Sequence, residues 1–129
     1  MNPISDKIHI GTLGELLVQI RLLQCGVQAA PPVKDSGNDL IAVNGREFRA
    51  VSVRTTSRGR YSKPDNNRDY HVLAVVQLIG EDQEVYLDRS RIFLIPRGDV
   101  ARVSTRCEEL EDFAWSRQLV EANFGTLRM

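Results

Sequence analysis

Apolar residues recur at three- and four-residue steps at Leu13, Leu16, Leu17, Ile20 and Leu23. That spacing predicts a helix over Gly11–Cys25 with one apolar face, stopped by Gly26. The polar cluster Asp35-Ser36-Gly37-Asn38-Asp39 marks a turn. Leu40-Ile41-Ala42-Val43 then reads as a short buried strand, and Asn44-Gly45 as a two-residue hairpin turn. The return strand, Glu47–Thr55, alternates: Val51 and Val53 share one face, and Ala50, Ser52 and Arg54 the other. Ser57–Arg68 is a polar loop, long for a compact domain and expected to be functional or disordered. A buried-type strand follows at Tyr70–Val76 and, after a Gly80-Glu81-Asp82 turn, further strands at Glu84–Leu87 and Arg91–Ile95, where Pro96 and Gly98 stop the last. A final helix is predicted over Arg106–Asn123, opened by a Thr105/Glu108 capping box, striped by Leu110, Phe113, Ala114 and Val120, and ended by Gly125. Hairpin-linked strands between two helices predict an α/β sandwich around a mixed sheet of about five strands.

Composition narrows the class. A chain of 129 residues, 42% apolar and 26% charged, fits one globular domain spanning 1–129. No apolar run reaches the ~18 residues of a membrane span, and charge appears too early in the chain for a secretory leader. Cys25 and Cys107 make neither a disulfide scaffold nor a zinc motif, so a cytoplasmic protein with free thiols is expected. Net charge is zero, unlike most non-specific nucleic-acid binders. The distribution is uneven: residues 1–64 carry nine basic and five acidic residues, and residues 65–129 carry eight and twelve. Arg46, Arg49, Arg54, Arg58, Arg60 and Lys63 crowd the 46–63 stretch against Glu47 alone. Such a stretch is either a solvated loop or a face for a phosphate backbone.

One constellation carries chemistry. Glu15 sits on the first helix, Asp39 opens a strand, and Ser52 and Arg54 point the same way from its neighbour. Convergent oxygen ligands with a nearby cation are what metal-dependent hydrolysis of a phosphodiester requires. Gly14-Glu15 with Leu16–Leu23 and Gly26-Val27, then Gly37-Asn38-Asp39-Leu40-Ile41, then Val51-Ser52-Val53-Arg54-Thr55-Thr56, resembles the PD-(D/E)xK nuclease superfamily, in its Holliday-junction-resolvase-like and Mrr-like branches. The resemblance covers roughly residues 8–96. It implies a restriction-endonuclease-like αβββαβ-type sandwich, a metal-dependent DNA endonuclease activity, Mg²⁺ or Mn²⁺ as cofactor, DNA as partner and a homodimer.

By the same resemblance, Asp39 matches the main metal ligand, Glu15 the helix-borne acid that helps hold metal and water, and the Val53 carbonyl a further metal ligand. Ser52 stands where the superfamily has Glu or Gln, and Arg54 where it has the catalytic Lys. Serine is shorter and neutral. Arginine keeps the charge and can clamp phosphate, but its pKa of ~12.5 or more bars it from acting as a base. Asp35 is a candidate replacement acid, whereas Glu47 lies on the opposite strand face. Arg58, Arg60 and Lys63 would contact DNA phosphates, with Tyr61 stacking on a base or sugar or simply exposed. Because both departures fall on the catalytic pair, the alternative is a catalytically inactive nuclease-fold domain that binds nucleic acid or protein. His71 is expected to be a satisfied sheet histidine, and Phe113 and Trp115 to pack in the core or at a subunit contact.

Overall fold

A computed structural model describes residues 7–34 and 38–127. Asp35, offered above as a compensating acid, lies outside the described residues. The elements are α1 (Lys7–Gln24), β1 (Gln28–Ala30), β2 (Leu40–Asn44), β3 (Glu47–Thr56), β4 (Val72–Gln77), β5 (Gly80–Glu81), β6 (Glu84–Val85), β7 (Arg91–Pro96), α2 (Arg97–Val100) and α3 (Arg117–Phe124). Five strands form one mixed sheet in the order β1-β2-β3-β4-β7, and β5 and β6 pair as a separate hairpin. Only β3 and β4 run parallel. Their crossover, residues 57–71, contains no helix. The expected α/β sandwich with a five-stranded mixed sheet is therefore present. β4 is an interior strand between β3 and β7, and its Val-Leu-Ala-Val-Val run is buried on both faces.

Alternation sorts the core into two layers. Val51 and Val53 join Leu17, Val18 and Leu22 of α1 and Val120 and Phe124 of α3 on one face. Leu73, Val75, Phe93 and Ile95 meet Tyr61, Tyr70, Cys107 and Leu110 on the other. The helix starts a turn earlier than its apolar spacing suggested, and it ends at Gly26, whose φ of 80° suits glycine. Its buried face also differs from the expected one. Leu17, Val18 and Leu22 are buried, whereas Leu16, Ile20 and Leu23 are 48%, 50% and 60% exposed. α1 thus carries two apolar stripes, and spacing alone does not say which one meets the sheet.

Four further expectations are corrected. The hairpin between β2 and β3 turns on Gly45-Arg46, with Asn44 paired to Glu47. Asn44 stays in the ladder because its buried amide donates to the carbonyls of Phe124 and Thr126, both at 3.0 Å. The strand expected over Glu84–Leu87 shrinks to Glu84–Val85, opposite Gly80–Glu81 across a turn whose Asp82 and Gln83 both have positive φ. The long C-terminal helix is instead two 3₁₀ turns, Cys107–Glu109 and Glu111–Phe113, followed by α3. One straight helix could not serve both layers: Leu110 is buried on one face of the sheet, and Val120 and Phe124 on the other. The chain rounds the β7 edge between them, where Ala114 bridges Phe93 and the Trp115 N–H donates to the Ile92 carbonyl at 2.9 Å. The cap of α3 is Ser116, which accepts from the Leu119 N–H. Gly98, read as a stop, lies inside α2.

The Asn44 amide ties the β2–β3 turn to residues 124–126. Asn44→Ala removes both bonds and leaves two carbonyls without that donor. It should lower stability by about 1–3 kcal/mol, read as a shift in the urea midpoint at unchanged slope.

Candidate functional site

Pairing between β2 and β3 ends at Leu40 opposite Val51. Beyond that point β3 would present a free backbone edge, and Asp39 fills it. Its N–H donates to the Val51 carbonyl at 2.9 Å, and its Oδ2 accepts from the Val53 N–H at 2.7 Å. The carboxylate therefore replaces a strand and sits at a notch in the plane of the sheet. Within a strand the N–H and C=O of one residue lie on the same edge, so the Val53 carbonyl faces the Asp39 side as well.

Two sets of side chains flank this notch. Ser52 and Arg54 pair beside Leu73 and Val75, on the face away from α1. The expected shared parity of Ala50, Ser52 and Arg54 thus holds. Glu15 comes from α1, on the opposite face. Its position depends on Gly14, where an added Cβ would lie 1.8 Å from Thr55 Oγ1 and 2.8 Å from Thr55 Cβ. Only glycine lets the helix backbone come this close to β3.

The electrostatics follow from the approach of Glu15 to Asp39. Partial burial raises the Glu15 carboxyl above the ordinary carboxylate range, and the Asp39 charge raises it further. A carboxyl held close to a second negative charge forms a place that favours a cation. Ser52 is fully buried, and its Oγ has no hydrogen-bond partner among the described residues; Arg54 Nε is buried and unpartnered too. Such orphaned polar atoms are uncommon and call for an explanation.

In type, the donor set suits the implied divalent ion. Two carboxylates, the Val53 carbonyl and the Ser52 hydroxyl are all oxygen donors, the type that Mg²⁺ and Mn²⁺ take. The set is nonetheless lean, since no group of three or more His, Cys, Asp or Glu stands close enough to hold a metal among the described residues. Position 52, where the resemblance expects a further acid, holds a serine.

The basic loop is ordered rather than loose. Tyr61 is 5% exposed and donates its hydroxyl to the Ser104 carbonyl at 2.7 Å. Burial is the main cause that pushes this hydroxyl up to about 12. Its ring has no open face for a base, so the stacking role expected for Tyr61 is withdrawn. Arg58 and Arg60 are exposed, and Lys63 Nζ donates to the Ala101 carbonyl at 3.2 Å. Arg58 and Arg60 share a cleft of about 420 Å³ with Gly59, Gln77, Arg106 and Glu108. Arg106 lies far along the chain, and nothing in its local sequence points to the cleft. His71 is satisfied as expected, with Nδ1 accepting from the Ala50 N–H at 2.9 Å, though its ring is exposed at the head of β4. Phe113 and Trp115 pack against the two core layers. No helix among the described residues is long and apolar enough to cross a membrane.

Comparison with solved structures finds a bacterial homing endonuclease, I-Ssp6803I, at a TM-score of 0.56 and 14% identity, covering 78% of this chain and 72% of that one. The fold is nuclease-like. No protein-family model matches the sequence, and no curated protein matches it.

Three stability predictions follow from the site. Gly14→Ala should cost about 1–3 kcal/mol by overpacking, and adding Thr55→Ala should recover part of it. Glu15 binds its proton more tightly folded than unfolded, so its contribution to stability falls as pH rises through the window above the ordinary value of 4.5. Glu15→Gln should therefore raise the Tm at pH 7, with the gain fading as pH drops below that value. Ser52→Ala should leave the Tm unchanged or higher, because no hydrogen bond is lost.

Proposed function

We propose that this domain binds DNA across the Glu15–Asp39 notch and, with Mg²⁺ or Mn²⁺, hydrolyses phosphodiester bonds as a member of the PD-(D/E)xK superfamily. The observation that carries this reading is the Asp39 carboxylate seated on the β3 backbone at Val53, with Glu15 close enough on one face for the two charges to interact and the unpartnered Ser52 Oγ and Arg54 Nε on the other, on a fold shared with a homing endonuclease. Asp39, Glu15 and the Val53 carbonyl would hold the ion, which supplies Lewis acidity toward a phosphate oxygen. Asp39 keeps its orientation through the Val53 N–H. Ser52 would donate its free hydroxyl to a water or a phosphate oxygen. Arg54 would hold the negative charge that develops on the phosphate and would leave proton removal to another group. Arg58, Arg60 and Lys63 would position the backbone without reading sequence. A homodimer and a cytoplasmic location are proposed on the resemblance alone.

A second reading is favoured by the lean ligand set: a silent nuclease-fold domain in which Arg54 contributes to binding and no ion is held. One experiment separates them. Labelled linear, nicked and branched DNAs are incubated with Mn²⁺ or Mg²⁺, beside an Asp39→Ala control. The first reading expects cleavage that the substitution abolishes. Salt-dependent binding to the same DNAs with no cleavage at high protein concentration would transfer the assignment to the silent domain.

A further inference from the structure

The cleft around Arg60 has a feature that structural ion pairing leaves unexplained. Residues 60 and 106 are direct partners in an isolated antiparallel bridge, so two arginines stand opposite each other across neighbouring backbones. Like charges in that position repel. Arg58 lines the same cleft. Of the three, only Arg106 has a carboxylate partner among the described residues, Glu108. The backbone around them is fixed by the Tyr61 N–H to the Thr105 carbonyl at 3.0 Å and the Cys107 N–H to the Gly59 carbonyl at 2.8 Å. The repulsion is therefore built into a braced frame instead of being relieved by a mobile loop. Gln77 also lines the cleft, and it forms the final pair of the parallel β3/β4 ladder with Thr56. The cleft thus opens at the carboxyl ends of the two parallel strands, where open α/β sheets bind ligands.

We propose that this cleft is a phosphomonoester pocket, in which Arg58, Arg60 and Arg106 clasp the terminal phosphate of a nucleic-acid strand. The phosphate chemistry stands on the cleft alone; its attachment to a nucleic acid rests on the function proposed above. Charge selects the ligand. Three guanidiniums and one carboxylate give the cleft a formal charge of +2, which matches a phosphomonoester at ~−1.5 to −2 near pH 7 better than a singly charged diester. Guanidiniums also grip phosphate oxygens in two-pronged fashion. Glu108 holds Arg106 until the phosphate arrives and competes with it.

The test uses three oligonucleotides of one sequence, with a 5′-phosphate, a 3′-phosphate or hydroxyls at both ends. Binding is read by fluorescence anisotropy in EDTA. One phosphorylated form should bind about tenfold or more tighter than the hydroxyl-ended one, the scale of a charge-assisted contact. That preference should survive Asp39→Ala, disappear in Arg60→Gln and in Arg58→Gln, and grow in Glu108→Gln. Equal affinity for all three oligonucleotides, or a preference untouched by both arginine substitutions, would overturn the pocket. If no oligonucleotide binds, it is the nucleic-acid reading that fails, and calorimetry with inorganic pyrophosphate judges the cleft by itself. Saturable binding lost in Arg60→Gln then upholds the anion pocket, and absence of binding rejects it.

Discussion

The close approach of α1 to β3 at Gly14 and Thr55 is the constraint on which the site depends. A side chain at position 14 would push the helix outward, and Glu15 would leave the field of Asp39 that raises its carboxyl. The same contact seats Leu17, Val18 and Leu22 on the sheet. Core packing and site electrostatics are thus set by one glycine. The arrangement is a small version of a general rule: chemistry needs groups brought closer than they would choose, and the surrounding core supplies the force.

Asp39 extends that logic to the backbone. Where β2 stops, its carboxylate takes over the hydrogen bond that a further strand residue would have made. An acid committed in this way cannot swing away, so the notch has a fixed negative wall. Ser52 and Arg54 complete it from the other face with polar atoms that the protein itself leaves unmatched. Burying such atoms opposes folding. Their persistence is what separates this corner from the ion pairs elsewhere on the surface, such as Arg91 with Glu111 or Arg102 with Asp99, which are complete in themselves.

Much of this was legible in the residues. Period-two alternation fixed the faces of β3, and the apolar run of β4 marked a strand buried on both faces. Glu15, Asp39, Ser52 and Arg54 come forward through short local motifs and the resemblance they carry, whereas the docking of Asp39 on the β3 backbone at Val53 is a long-range contact those motifs do not hold. Features decided by distant packing were not legible. α1 has two apolar stripes, and only the sheet selects between them. The C-terminal segment carries helical spacing yet must cross from one face to the other, so it breaks. Tyr61 sits among arginines and lysine as an interface residue would, but the carbonyl of Ser104 draws it inward. Arg106 joined the cleft through a bridge to Arg60 that nothing nearby in sequence announces.

The tether from Asn44 to the carbonyls of Phe124 and Thr126 spans 80 and 82 positions. The hairpin it secures is local and can zip early, but its buried amide is satisfied only when residues near 125 arrive. The parallel union of β3 with β4 likewise waits on closing the 57–71 crossover. A topology so rich in distant partners folds slowly for its size. Its half-assembled sheet is exposed for longer to stray strand pairing, and that time is the kinetic counterpart of bringing far-separated residues to one strand end.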